Sequence, residues 1–95
     1  MSILFKLNGI AYYIEKSIQG KYFIDACFPI KRAPGFGDVI DGRTLNSSTA
    51  VNKARRAFYR KGHLGKRLDL VRELGHFNSL KSLKAEIAGI NKKYK

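Results

Sequence analysis

The sequence predicts an α+β domain in which a small antiparallel sheet of three to four strands, from the N-terminal half, packs against two to three C-terminal helices. Before residue 29, apolar and polar residues alternate with the period of two that half-buried strands require. After residue 46, apolar residues recur every three or four positions, which is typical of helices that face a core. A chain of 95 residues fits one domain, and helices that cover a sheet bury the apolar faces of both.

The firmest β prediction is a hairpin near the N-terminus. Residues 3–7 form a short apolar strand that a glycine ends, and residues 10–18 form the next strand. Residues 21–28 return after a turn at Gln19-Gly20, because glycine supplies the positive φ that a two-residue turn needs. Their alternation is expected to run without interruption, so that Tyr22 and Phe28 lie on one face of the sheet.

The segment between the hairpin and the helices contains a loop and a shorter strand. Residues 29–37 are predicted to form the loop, because their two prolines and two glycines disfavour both a strand ladder and a helix. Residues 38–45 are predicted to form a strand in which Gly42 produces a bend or a bulge.

Three helices are predicted in the C-terminal half. The first begins at three residues that cap helix N-termini well, Asn46, Ser47 and Ser48. It is expected to end at Gly62 in a left-handed conformation. A second helix is predicted over residues 65–74. A third is capped by Asn78 or Ser79, and its apolar stripe consists of Leu80, Leu83, Ile87 and Ile90.

We predict a single domain over residues 1–95, in which residues 1–45 form a β-sheet scaffold and residues 46–95 form a basic helical part. The charge follows nearly the same division. Residues 1–51 hold 6 basic and 4 acidic side chains, whereas residues 52–95 hold 13 and 3, and the formal net charge is +12. The C-terminal half is therefore predicted to face a polyanion. Its tail is expected to be frayed and contains Lys92, Lys93 and Lys95.

The first predicted helix combines a small apolar stripe with a basic face. The stripe consists of Ala50, Val51, Ala54, Ala57 and Phe58. At about 100° per residue, Lys53, Arg56 and Arg60 lie roughly opposite and form the predicted central row of nucleic-acid-binding residues. The side chains expected to extend this row are Arg55, Tyr59, Lys61, Lys66 and Arg67, with Lys31 and Arg32 from the loop.

Two interpretations of this basic face compete. A solvated helix face usually mixes both signs of charge and contains acid–base pairs four residues apart. Here no acid lies between Asn46 and Leu68, while seven cations do. Clustered cations of this kind are the electrostatic signature of a nucleic-acid-binding surface, so we favour an anion-binding function.

The cysteine content and the N-terminal segment bear on the cellular compartment, and the alanine-rich stripe bears on the kind of partner. The single Cys27 excludes an internal disulfide and provides no metal-ligand pattern, which fits a reducing cytoplasm, and no cofactor is predicted. The N-terminal segment lacks the basic leader and long apolar run of a signal peptide or a membrane span. An alanine-rich stripe is also too weak for binding to a membrane surface.

We predict that the protein is not an enzyme. Gly9-Ile10-Ala11-Tyr12, followed by the strand after Gly20, resembles the opening hairpin of GIY-YIG nucleases, in which the two triplets and an arginine serve catalysis. The chain departs from that pattern because Ala11 replaces the tyrosine of the first triplet and Asp25 replaces the glycine of the second. No zinc-ligand spacing and no nucleophile motif is present.

Two known modes of DNA binding resemble parts of the chain. Residues 68–87, with Gly75 in the turn, resemble a helix-turn-helix, but Leu80 and Leu83 fall one residue early for its usual spacing. The order of strands followed by an alanine-rich helix is similar to the arm-binding domains of tyrosine-type integrases, which imply a sheet that enters the major groove. The charge favours the helices instead, because the sheet half contributes little of it.

The sequence therefore predicts a small basic nucleic-acid-binding protein that contacts phosphates through a cationic helix face, as a phage or mobile-element accessory factor would. DNA is favoured over RNA as the ligand. The alternative is a small inhibitor or adaptor whose basic helix docks on an acidic surface of a larger, nucleic-acid-processing protein complex. The protein is expected to be a monomer or a homodimer.

Overall fold

The computed structural model describes residues 2–94. Three antiparallel strands form the main sheet in the order β1 (Ile3–Leu7), β2 (Ile10–Lys16) and β3 (Tyr22–Pro29). Phe77 extends it by one bridge, because its backbone exchanges both hydrogen bonds with Tyr22 at the free edge of β3. The predicted sheet in the N-terminal half is confirmed.

The C-terminal half is helical, as predicted. Helix α1 (Ser48–Arg60) is followed by a single 3₁₀ turn (Lys61–His63), then by α2 (Leu64–Arg72) and α3 (Leu80–Lys93). The α+β arrangement predicted from the periodicities is therefore confirmed. Among residues 2–94, no helix combines the length and the apolar composition that a membrane crossing requires.

A β-bulge changes which residues of β3 point into the protein. Tyr13 pairs with Ala26 and Ile14 pairs with Ile24, so Asp25 is left without a cross-strand partner. Beyond the bulge the alternation shifts by one residue, which is what an extra residue in one strand must do. Cys27 is therefore buried while Phe28 is exposed. The prediction of uninterrupted alternation in this strand was wrong.

The segment predicted as a single third strand is a small hairpin. Its strands are β4 (Val39–Ile40) and β5 (Arg43–Thr44), which pair antiparallel and do not join the main sheet. Between them, Asp41 and Gly42 both have positive φ, at 52° and 77°. Two such residues are typical of a type I′ turn, so Gly42 reverses the chain where a bend within one strand was expected.

The helix caps agree with the sequence in part. Ser47 caps α1 by accepting a bond from the Ala50 amide, and Ser79 caps α3 in the same way. Gly62 is left-handed, as predicted, with φ of 61°. The tail is not frayed up to Lys93, because α3 continues to that residue. Lys95 lies outside the described residues.

The core lies between one face of the sheet and the helices α2 and α3. Its fully buried side chains come from both layers: Ile10, Tyr12, Ile14, Cys27, Leu68, Val71, Leu83 and Ile87. Helix α1 lies at the margin of this core, where Val51 is its single buried residue and Phe58 is half-buried. The protein is accordingly elongated, with extents of 49 × 27 × 17 Å. A helix attached along one narrow side keeps most of its surface exposed.

We expect the Cys27 thiol to resist alkylation in the folded protein. The side chain is 1% exposed, and its Sγ lies 4.0 Å from the carbonyl oxygen of Leu68. Burial raises the pKa of this thiol, so the reactive thiolate is scarce near neutral pH. Iodoacetamide at about pH 8 is expected to modify the folded protein at least about 100-fold more slowly than the urea-unfolded chain. Equal rates would contradict the packing of β3 against α2.

Candidate nucleic-acid interface

Helix α1 is held in place by an N-terminal cap, by two apolar side chains and by one hydrogen bond to the preceding loop. The Ser47 cap fixes where the helix begins, and Val51 and Phe58 attach it to the rest of the protein. Arg55 donates from Nε to the carbonyl oxygen of Pro34 over 2.8 Å, which links the helix to the loop that follows β3. The loop and the helix therefore present their side chains on one continuous surface.

The predicted central row of cations is exposed and shares one side of α1. Lys53, Arg56 and Arg60 line a shallow depression together with Ala57. The ion pairs within residues 2–94 involve other cations, so no carboxylate of these residues lies within 4.0 Å of the row. This charge is left for solvent counterions or for a ligand to neutralise.

A groove of about 600 Å³ runs between α1 and the loop. Its basic rim is formed by Lys31, Arg32 and Lys61. Its apolar lining is formed by Pro34, Val39, Ile40, Ala54, Ala57 and Phe58. Because Ala57 borders both this groove and the shallow depression, the two sets of cations adjoin each other.

Asp38 is the one acid that lines the groove. It accepts a bond of 2.9 Å from the Arg32 guanidinium and one of 2.7 Å from the Gly35 amide, and these two bonds hold the pKa of its carboxyl below its ordinary value. Asp38 thus neutralises Arg32 and shapes the loop. The Arg32 and Arg55 guanidiniums both lie next to Gly35, within 4 Å of the position its Cβ would occupy.

The described structure leaves six unpaired cations beside one another, and we call them the basic surface: Lys31, Lys53, Arg55, Arg56, Arg60 and Lys61. Tyr59 and Lys66 are also exposed, but neither lines the groove or the depression. The Tyr59 and Phe58 rings meet edge to face, with 5.2 Å between their centres. The Lys66 ammonium lies 5.6 Å from the centre of the Tyr94 ring.

Arg67 was predicted to extend the row, but the structure places it inside the protein, at 9% exposure. Its guanidinium donates to the carbonyl oxygens of Gly62 and Asn8 and to Oδ1 of Asn91. It therefore cannot join the surface formed by α1. A sequence signal existed: Arg67 follows Leu64 by three positions and precedes Val71 by four, so it lies on the apolar side of α2.

The sequence did not predict the role of Asn91 or the existence of the groove. Asn91 follows Ile87 by four positions, and a polar residue at a core position of a helix indicates an internal hydrogen-bond network. The groove has no comparable signal, because Val39 and Ile40 approach α1 only through the folding of the loop. Within residues 2–94, no three His, Cys, Asp or Glu side chains gather as a metal site would require.

Comparison with known proteins adds no family to this description. No family model, curated protein or solved structure matches the chain. The functional conclusions therefore rest on the residues and the geometry described above.

Proposed function

We propose that the protein binds nucleic acid, mainly through its phosphates, with the basic surface on α1 and the adjoining loop. The observation that carries this proposal is that six exposed cations adjoin one another while no carboxylate of residues 2–94 pairs with them. Like charges held together repel, and a phosphate backbone removes that cost while it releases its own counterions.

The spacing of the cations supports a regular polyanion as the ligand. Lys53, Arg56 and Arg60 are three and four residues apart, so their Cα atoms rise by about 4.5 and 6 Å along the helix. Each reaches a separate anionic group, and a backbone with one charge per nucleotide offers such groups in series. Contacts of this type position a ligand without reading its base sequence.

Affinity is expected to depend steeply on salt. If the six cations of the basic surface each neutralise one duplex phosphate, the logarithm of the association constant falls against log salt with a slope of about −5. Fluorescence anisotropy titrations of labelled duplex DNA, single-stranded DNA and RNA at several salt concentrations measure this slope. Affinities that stay constant from low to physiological salt would refute phosphate binding by this surface.

A second candidate function follows from the groove. An apolar floor with a basic rim fits an acidic segment of another protein that carries an apolar side chain, as the adaptor or inhibitor interpretation requires. Replacing Ala57 by Leu enlarges one side chain of the groove lining and removes no cation, whereas Ala85→Leu makes the same change on an exposed face of α3.

Pull-downs from nuclease-treated lysate separate the two functions. A protein retained by the wild type and by Ala85→Leu, but lost with Ala57→Leu, favours the adaptor. Nucleic-acid binding that is unchanged by Ala57→Leu, with no protein retained after nuclease treatment, favours the phosphate-binding function.

A further inference from the structure

We propose that a small pocket beside Arg67 binds a single phosphate group, at a site separate from the basic surface of α1. The pocket has a volume of about 170 Å³ and is lined by five residues: Asn8, Gly62, Arg67, Asn91 and Tyr94. It brings together the β1–β2 turn, the turn between α1 and α2, and the end of α3.

Arg67 uses three of its five N–H groups within the protein. Nε donates to the Gly62 carbonyl oxygen over 2.9 Å, and Nη1 donates to the Asn8 carbonyl oxygen over 3.1 Å and to Asn91 Oδ1 over 2.8 Å. Nη2 makes no hydrogen bond with any of residues 2–94. Every fully buried polar side-chain atom of these residues has a partner, so Nη2 is not fully buried, and Arg67 lines the pocket. Two N–H groups, both on Nη2, therefore remain for a ligand.

The charge of Arg67 lacks an anionic partner. All three of its acceptors are neutral, and no carboxylate of residues 2–94 lies within 4.0 Å of it. A charge that is taken out of water without a counterion is costly, and an anion at Nη2 offsets that cost. The two remaining N–H groups belong to a positively charged group, so each can donate a charge-assisted hydrogen bond to an oxyanion.

Further cations lie close to one of the residues that line the pocket. Tyr94 is that residue, and the ammonium groups of Lys66 and Lys93 lie 5.6 and 5.5 Å from the centre of its ring. Both lysines are exposed, and neither pairs with a carboxylate of residues 2–94. Their positive potential attracts an anion towards Arg67.

The size of the pocket restricts the ligand to one charged group. Its volume of about 170 Å³ equals that of five or six waters at about 30 Å³ each, and it lies below the range of about 300–1,000 Å³ of pockets for larger ligands. A phosphate group matches this volume. The source of the group is either free phosphate or the terminal phosphate of a nucleic acid.

Thermal unfolding tests the site with sodium phosphate against sodium chloride at equal ionic strength. The wild type is expected to gain at least about 5 °C in Tm at a phosphate concentration about tenfold above Kd. The gain should persist in the triple variant Lys53→Glu, Arg56→Glu, Arg60→Glu and disappear in Arg67→Lys, which keeps the charge but lacks the Nη2 amino group. Equal Tm values of the wild type in both salts would overturn the proposal, as would a gain that follows the α1 cations.

If Arg67→Lys fails to fold, NMR of the wild type tests the phosphate site instead. Phosphate is expected to shift the side-chain Nε–Hε resonance of Arg67 in a saturable way, and an unmoved resonance would rule out the site. Two oligonucleotides, with and without a 5′-phosphate, are then added to the triple variant. If only the phosphorylated one shifts this resonance, the source is the end of a nucleic acid. A shift by inorganic phosphate alone identifies free phosphate. This site stands even if the basic surface of α1 proves not to bind nucleic acid.

Discussion

Charge reversal of Lys53, Arg56 and Arg60 to Glu is expected to weaken binding to duplex DNA by more than about 100-fold at 0.1 M salt. Each lost phosphate contact removes the release of nearly one counterion, and each new carboxylate also repels the backbone. The salt slope should fall from about −5 to about −3, because three contacts of the six are gone. Anisotropy titrations of the variant and the wild type over one salt series measure both quantities.

The matched control reverses three exposed lysines elsewhere, Lys6, Lys81 and Lys92. Both triple variants lower the formal net charge from +12 to +6, since each substitution removes two units, so they are matched in net charge and differ in location. Lys6 points from β1 on the exposed face of the sheet, and the two others lie on α3. The control is expected to bind within a few-fold of the wild type. A loss as large as that of the α1 variant would mean that total charge, or the sheet, governs binding.

Asn91→Ala is expected to destabilise the protein by about 2–4 kcal/mol. Asn91 is 2% exposed and connects three elements, since Nδ2 donates to the Tyr12 hydroxyl and to the Ile87 carbonyl oxygen, while Oδ1 accepts from Arg67. Its removal leaves two buried polar groups short of a partner, one of them charged. Urea unfolding followed by circular dichroism is expected to show a lower midpoint with an unchanged slope.

Asn52→Ala is the control for this substitution. Asn52 lies on an exposed face of α1, so the same chemical change there is expected to alter stability by no more than about 0.5 kcal/mol. Alanine favours a helix at both positions, and that gain therefore cancels in the comparison. If both variants unfold at the same urea concentration, the Tyr12–Asn91–Arg67 network contributes nothing to stability.

The elements that local rules define could be predicted well. Ser47 and Ser79 cap their helices because a short side-chain oxygen meets a free amide wherever a helix begins. The exposure of Lys53, Arg56 and Arg60 likewise follows from helical spacing around Val51, whose burial sets the orientation of α1.

Features that depend on distant parts of the chain could not be predicted in this way. The bulge at Asp25 is a matter of register between β2 and β3, and alternation within one strand does not reveal it. The groove exists because the Asp38 carboxylate binds Arg32 and shapes the loop, while Arg55 of α1 binds the Pro34 carbonyl and holds the loop to the helix. Neither contact has a signature in the spacing of the residues concerned.

The sequence by itself determined the α+β class, the helix caps and the cationic face of α1, because each depends on residues within a few positions of one another. Tertiary structure alone decided which hydrogen-bond acceptors Arg67 meets. Arg60 stays on the surface because α1 packs only along its Val51 side, whereas Arg67 turns inward because carbonyls from Asn8 and Gly62 and the Asn91 amide meet its guanidinium. A buried cation needs acceptors, and two of the three that meet Arg67, on Asn8 and Asn91, come from residues far away in the chain.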